Sequence, residues 1–536
     1  MSMFDEDRRQ EQRQDSTEGR DERRMTHERR AADEPLGGSA SIDRRGFVKG
    51  GVALGAAVAL SGTAFASLVG CTSKNPEQPG GEAPQAETYD IVIVGAGGAG
   101  LAAALAARQE GVDKILLLEK GVGSGGNTNF SSSGMNASQT RFQDTAGIED
   151  TNKLFADDTF AGGHEMGERS LVDFMCENSS AAIDWLDEAG ITLDNITQMG
   201  GASVKRCHRP TDGSAIGKTL IPGLRDAVER NGIAVLTETP ATELIVNDAG
   251  TVVGVKARPE GDSTDTSYQA KAVIITAGGF GSNKEMIREY RPAIADFVTT
   301  NIPYTTGDGM LMAQKAGAEL VLMDQIQTHP TVEQTTGALI AEGIRGGGAI
   351  LINSEGKRFF NEMETRDAVS EAELEQPGKF AFVVYDQQVY DSNLDAASYD
   401  ERKLSVKANT LQELAAEMDV DADALAETVA AYNAVTNEGV EDSFGRTKGL
   451  IAFGNGPFYA CKVAPGIHYC MGGIRVDALS RALNAKGEPI VGLYAAGEST
   501  GGLHGGNRLG GNGVCDTMVF GPNAAKQAAA YAAGLS

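Results

Sequence analysis

One stretch constrains this chain more than any other: Thr88–Lys120, TYDIVIVGAGGAGLAAALAARQEGVDKILLLEK. An apolar run, Ile91–Val94, enters Gly95-Ala96-Gly97-Gly98-Ala99-Gly100. A small-residue segment, Leu101–Arg108, reads as a helix, and a second apolar run, Ile115–Leu118, ends in Glu119 and Lys120. The order is strand, glycine turn, helix, strand, acid. In such a unit Gly95 permits the tight turn, Gly97 lets the backbone approach a pyrophosphate, and Gly100 lets helix pack on strand. The helix start offers free N–H groups and a positive dipole end to phosphate. Glu119 stands 19 residues beyond Gly100, where a carboxylate can accept a bond from a ribose hydroxyl. The pattern predicts a dinucleotide site in an α/β fold.

Bulk properties narrow the partners. With 536 residues the chain is long for one core, so more than one domain is expected. A formal charge of −27 argues against nucleic acid and against an anionic membrane surface. The six cysteines, Cys71, Cys176, Cys207, Cys461, Cys470 and Cys515, form no CxxC or CxxCH, and no metal-ligand spacing appears elsewhere. No haem attachment and no metal site is expected.

Residues 1–40 are charge-dense and read as disordered. Ser41-Ile42-Asp43-Arg44-Arg45-Gly46-Phe47-Val48-Lys49, followed by the Gly/Ala-rich run 50–70, resembles a twin-arginine export signal. Leu68-Val69-Gly70-Cys71 resembles a lipobox, making Cys71 a lipidation candidate. The expectation for 1–71 is therefore a disordered start plus a lipoprotein-type signal, and for the Pro/Gly-rich 72–87 a linker. Export would place the protein on the extracytoplasmic face, membrane-anchored or periplasmic.

Further along, 123–136 (GSGGNTNFSSSGMN) reads as a loop beside the cofactor, and 171–188 as a helix with Trp185, the only tryptophan, in its core face. The region 202–217 also reads as a loop. A helix over 220–230 leads to a strand over 233–237, then a hairpin of 242–246 and 252–257, then a buried strand, 268–277, running into Gly278-Gly279. A helix opens at Gly307-Asp308-Gly309. The segments 411–418 and 422–437 read as amphipathic surface helices. From 463 onward glycine-rich sequence returns, with GLYAAGE at 492–498 and GGNRLGGNGV at 505–514. The ends of the body therefore read as one discontinuous domain, 88–323 and 468–536, interrupted by 324–467.

Chemistry-bearing residues gather at His329, Glu342 to Arg345, Arg358 to Arg366, His468 and Arg508. Two histidines and several arginines can hold carboxylates through charge-assisted bonds. No Ser-His-Asp order is present. His27 and His164 read as surface residues, His208 and His504 as structural support.

These motifs, with DIVIVGAGGAG, GGNT, GGASVKRCHRP, TAGGF, TGDG, HPT, EGIRGGGAIL, GKRFFNE, TRD, PGIH and HGGNRLGGNG, resemble the soluble fumarate reductases of flavocytochrome c type and their urocanate and methacrylate reductase relatives. The likeness spans 88–536. It implies an α/β fold with a discontinuous Rossmann-like FAD-binding domain and an inserted α+β capping domain. It implies hydride transfer from FAD N5 to one alkene carbon of a small unsaturated carboxylate, with Arg366 giving the proton to the other. Glu342 and Arg345 would relay protons to Arg366. His329, His468, Arg508 and Gly511, with Ser133 and Ala341, would line the substrate pocket. Implied cofactor positions are Gly95, Gly97, Ala99, Gly100, Glu119, Lys120, Asn127, Thr128, Gly134, Met135, Ala241, Ala277, Gly278, Asp308, Tyr469, Glu498, Arg508, Gly513 and Val514. Electrons would come from a separate membrane, cytochrome or flavin donor in anaerobic respiration.

Four departures from the family pattern matter. Ser133 stands where a glycine is usual, Ala341 where a carboxylate-binding threonine is frequent, and Tyr469 where a second histidine is common; the fourth is that no fused haem or FMN-bearing domain is expected. The first two put fumarate itself in doubt, while His329 argues against urocanate. GGNT lacks the histidine that attaches FAD covalently in membrane succinate dehydrogenases, so FAD is expected to be non-covalent. Two other readings stay open: a same-fold dehydrogenase of a substrate such as a 3-ketosteroid, and a non-enzymatic flavin electron-transfer lipoprotein.

Overall fold

The computed structural model describes residues 88–535, so the signal, Cys71 and the linker expected over 1–87 lie outside the described residues. The glycine-turn unit forms as its pattern predicts: strand Thr88–Val94, helix Gly98–Gln109 and strand Ile115–Leu118. Both strands are apolar runs because they sit mid-sheet with both faces covered. The sheet order is Arg481–Leu483, Pro489–Ala495, Thr266–Ile275, Thr88–Val94, Ile115–Leu118, Ala234–Leu236. Its neighbours pair in parallel from Pro489–Ala495 to Ala234–Leu236, and the hairpin Ala241–Val246/Val252–Ala257 joins antiparallel to Thr266–Ile275. Strands far apart in sequence thus meet beside the glycine turn. The alanine-rich helix Gly98–Gln109 packs closely on the last helix, Asn512–Gly534, small residues letting the two backbones approach. Trp185 is half-buried at the core margin, and its indole N–H donates to Gln109 Oε1 at 2.8 Å.

A second, antiparallel sheet takes its strands from 326 to 470, in the order Ile326–Val332, Phe458–Cys470, Ala381–Asp386, Ile350–Ile352, with Val406–Ala408 also on Phe458–Cys470. The period-2 alternation of AFVVYD divides its core. Ala381, Val383 and Tyr385 face one apolar cluster, and Phe382 and Val384 face another. Helices Leu411–Met418 and Ala422–Glu438 cover the second face through Leu414, Leu425, Val429 and Tyr432. The first face carries Val369 of helix Arg366–Leu374 and Tyr399 of helix Leu394–Glu401. The thirteen-residue strand Phe458–Cys470 runs through the expected boundary at 467/468. Pro465 and Gly466 obscured it as a strand, and Cys207–Arg209 similarly forms a short strand within the expected loop 202–217.

A buried ion cluster fixes this second layer. Both Glu362 oxygens accept from Arg358, at 2.7 and 2.8 Å, and Oε2 also accepts from Arg446 at 3.0 Å. Arg358 also donates to Asp442 at 2.6 Å, and the Glu362 carbonyl accepts from Arg345 at 2.6 Å. Removing the carboxylate leaves Arg358 and Arg446 buried without it. Glu362→Ala should therefore cost about 3–5 kcal/mol in urea unfolding of the full chain; a loss under about 1 kcal/mol would mean the cluster is not a stabilising anchor.

Candidate functional site: a dinucleotide cleft ending in an arginine–histidine cluster

Each glycine of the turn has a separate reason to be there. Gly95 has φ +103°, and a Cβ on it would lie 2.5 Å from the Thr276 carbonyl oxygen. A Cβ on Gly100 would come within 1.9 Å of the Gly95 carbonyl. On Gly97 a Cβ would meet no atom within 4 Å, because it would project into a cavity of about 620 Å³. The N-terminus of helix Gly98–Gln109 opens on that cavity with no acidic residue in its first turn. An open cradle at the positive end of a helix fits a pyrophosphate, and the residues present fit FAD as the group held.

The cavity wall collects Gly95, Gly97, Ala99, Glu119, Lys120, Asn127, Thr128, Ala241, Ala277, Gly278, Asp308, Tyr469, Glu498, Gly513 and Val514. The Glu119 carboxylate accepts from Ala96 N–H at 2.9 Å and Gly121 N–H at 2.7 Å, which fixes it at the second strand's end. A carboxylate has about four lone-pair sites, so capacity remains for ribose hydroxyls. Lys120 donates to Thr306 at 2.6 Å and Asp308 at 2.7 Å, tying the two loops at that end together. Asn127 donates to Asn301 at 2.6 Å and accepts from Ile302 N–H at 3.0 Å. Burial raises the Glu498 carboxyl to about 7, against the lowering pull of the Cys470 N–H and Arg508.

At the other end the same wall carries Ser133, Arg366, His468, Arg508 and Gly511. Arg366 heads the helix Arg366–Leu374; its Nε donates to Glu342 Oε2 at 2.8 Å and its Nη1 to Gln327 Oε1 at 3.1 Å. Arg508 donates to the same Gln327 oxygen at 3.3 Å and stacks 4.3 Å over the Tyr469 ring. Glu342 also accepts from Gly200 N–H at 2.8 Å and lies 4.0 Å from Arg345. Burial pushes the Glu342 carboxyl up, but Arg366, Arg345 and the hydrogen bonds outweigh it and hold the carboxyl below its usual range. Burial lowers Arg508 to about 10, with Arg366 adding repulsion.

The two histidines meet through an irregular strand pair. Gln327 faces Tyr469 and Thr328 faces Ile467, so His468 is the extra residue of a bulge, the local device that re-aims a side chain. Its ring lies edge-on to His329 with centroids 5.1 Å apart, and its Nδ1 bonds Thr300 Oγ1 at 2.8 Å. Burial and the nearby guanidiniums push both histidines well below the ordinary value, which favours the neutral imidazole. His329 Nε2 and Arg508 Nε are buried without partners.

His329, Glu342 and Arg345 stand behind the wall rather than on it, as do Ala341, Gly100, Gly134 and Met135. Gly134 is packed on the His208 carbonyl, and Met135 is wholly buried in a short strand. His208 bonds Thr140 and the Arg206 carbonyl, and His504 is buried beside Tyr469 and Asp516. His164, half exposed, pairs with Asp367. Sequence reasoning missed Gln327, a polar residue in the run before His329, and Asn301 and Tyr399, whose positions depend on distant segments. Among the described residues no acidic, histidine or cysteine cluster could hold a metal ion, and no helix is long and apolar enough to cross a membrane.

A strand-to-helix glycine cradle opening on a cleft that ends in an arginine–histidine cluster defines a dinucleotide-binding class of protein. The chain belongs to the FAD binding domain family, whose model matches residues 90–514. It is 44% identical to the NADH:fumarate oxidoreductase of Klebsiella pneumoniae (strain 342) over 458 residues, covering 85% of this chain and 49% of that one, so it spans about half that relative's length. It is 36% identical to the urocanate reductase of Eggerthella lenta over 474 residues, covering 86% and 78%. Its fold superposes on the open conformation of a flavocytochrome c3 fumarate reductase with a TM-score of 0.71 at 40% identity, covering 83% and 79%.

The two glycines separate cofactor binding from folding. Gly97→Ala should fold normally yet purify with little bound FAD, its methyl group standing in the pyrophosphate cradle. Gly100→Ala should lose about 1–3 kcal/mol of stability from overpacking. Absorbance at the flavin bands with thermal unfolding checks both; full FAD content in Gly97→Ala would place the pyrophosphate elsewhere.

Proposed function

We propose that this protein is an FAD-dependent reductase of the C=C bond of an α,β-unsaturated carboxylate, fumarate or a close relative. The observation that carries the reading is the pairing of Arg366 with Glu342 at the end of the dinucleotide cleft, beside Arg508 and His468. Reduced FAD, when bound non-covalently, supplies hydride to one alkene carbon. Arg508 offers charged N–H donors to the substrate carboxylate, and the neutral histidines add uncharged donors. Clamping that carboxylate polarises the adjoining double bond. Arg366 then gives its proton to the other alkene carbon. A guanidinium is a poor acid, so the transfer works only if Arg366 is refilled at once. Glu342 touches Arg366 and faces Arg345, which supports a route from Arg345 through Glu342.

A separate membrane, cytochrome or flavin donor in anaerobic respiration completes this reading. So does export by the twin-arginine route with lipidation at Cys71, which rests on residues 41–71 of the sequence. Arg366, His468 and Arg508 at one cavity end, with His329 packed behind His468, favour a carboxylate over a ketosteroid, and a site with an acid-linked arginine favours turnover over electron carriage alone.

Dithionite-reduced viologen should be oxidised with at least one of fumarate, itaconate, methacrylate, crotonate, urocanate and cinnamates. Arg366→Ala should stay yellow while kcat falls about 10²–10⁴-fold; undiminished turnover would remove Arg366 as the acid. Steroid oxidation without alkenoate reduction would replace the reading altogether. In cell fractionation, Arg44→Lys/Arg45→Lys should leave the protein in the cytoplasm, and Cys71→Ala should release it from membranes. Unchanged distributions would contradict export and anchoring respectively.

A further inference from the structure

Helix Arg366–Leu374 carries a buried polar stripe that the proposed reaction does not use. Arg366, Ser370 and Glu373 fall at i, i+4 and i+7, one face of a helix, and all three are buried. Glu373 is fully buried. Neither of its carboxyl oxygens completes a hydrogen bond, although the Ala381 N–H approaches, and Ser370 Oγ is also unpartnered. The charged group that acts electrostatically on Glu373 is Arg345, on the short helix Glu342–Gly346, whose Nε and Nη2 are likewise buried without hydrogen-bond partners. Buried polar groups lacking partners are costly, and a cluster of them calls for internal water. Burial holds the Glu373 carboxyl well above its usual range against the pull of Arg345, which favours its protonated, neutral form. The helix ends one residue later, at Leu374, and the following 375–379 is mostly exposed.

We infer that Glu373 is the proton store of the relay, a positioning residue that acts through Arg345 by way of water held between Glu373, Ser370 and Arg345. The inference rests on the reductase reading of the site. In each turnover the proton that leaves Arg366 for the alkene carbon is replaced from Arg345 through Glu342. The Glu373 carboxylic acid then gives its O–H proton to Arg345, becoming a carboxylate paired with the restored guanidinium. Solvent at 375–379 returns one proton to Glu373. One proton enters from water and one leaves on product, and the hydride comes from the reduced cofactor. Buried acid beside buried base is thereby converted to an ion pair only transiently, when the relay has been emptied.

Glu373→Gln keeps the size and neutrality of the protonated acid but cannot donate the proton. In stopped-flow mixing of the reduced holoenzyme with its alkenoate, the first turnover should match wild type within about twofold, because Arg366 is already charged. Steady-state kcat should fall about tenfold or more with KM unchanged and a larger solvent deuterium effect. Independently of activity, the infrared spectrum of wild type at pH 7 should contain a protonated carboxylic-acid carbonyl band that Glu373→Gln lacks. Glu373→Leu, which removes the unpaired polar group, should be as stable as wild type or more so while sharing the kinetic defect. Wild-type steady-state turnover in either variant, or no band difference, overturns the inference. A wild type that reduces no alkenoate removes the reductase reading and this inference with it.

Discussion

Everything at the reactive end depends on one buried carboxylate, Glu342. Arg366, Arg345 and Arg508 are all buried within one small region, and three guanidiniums there repel one another. Glu342 supplies the opposing charge, held by Arg366 and the Gly200 N–H. Taking charges out of water costs several kcal/mol each, so such a group persists only where every charge is countered or used. Gln327 handles the remainder with a neutral dipole. Its carbonyl oxygen accepts from both Arg366 and Arg508, and its amide donates to Asn507 and to the Arg508 carbonyl. The spacing of Arg366 and Arg508 is thus set by a residue that carries no charge.

Rigidity comes from the second sheet. Arg345 is not anchored by Glu342, which lies 4.0 Å away, but by the Glu362 carbonyl at 2.6 Å. Glu362 in turn is locked by Arg358 and Arg446, and Arg446 donates to the Arg345 carbonyl at 2.8 Å. Arg345 therefore hangs from the cluster that holds the layer together, so in the proposed relay it would keep a fixed position while its charge changes. The cofactor end is built differently. There, backbone supplies the recognition, and glycines create room rather than charge.

The two ends were not equally legible in the sequence. The glycine turn was readable because its elements are contiguous: Gly95, Gly97, Gly100 and Glu119 act through local backbone geometry, and their spacing encodes it. The hairpin 241–257 and the helices 411–418 and 422–438 were readable through periodicity. Residues such as Arg366 and His468 drew attention as charged or titratable groups in glycine-rich context, yet nothing local said that they meet. Their convergence depends on the pairing of Ile326–Val332 with Phe458–Cys470, strands more than a hundred residues apart, and on a bulge at His468 that no propensity encodes. Gln327 and Arg446 escaped notice for a related reason. A buried amide and a buried arginine look like ordinary polar residues until their charged partners are known, and those partners, Arg366 and Glu362, lie 39 and 84 residues away.

Substrate choice is written where the layers touch. Ala341, at the start of the Glu342 helix, offers no hydroxyl, and its backbone N–H is taken by the Tyr399 hydroxyl at 2.8 Å. Tyr399 belongs to the helix Leu394–Glu401, and with Asp395, Ser398 and Arg402 it lines the cavity at i, i+3, i+4 and i+7 spacing. A polar helix face therefore borders the position where a threonine side chain would otherwise serve a carboxylate. Arg508 and His468 are held by Gln327 and Thr300 and not by that helix, so in the proposed reaction one end of an alkenoate would be held while the other end varies. On the proposed reading this divides the labour: the charged cluster holds the acid group, and the wall of Tyr399, Asp395, Arg402 and Ser133, with Ala341 behind it, selects among unsaturated acids.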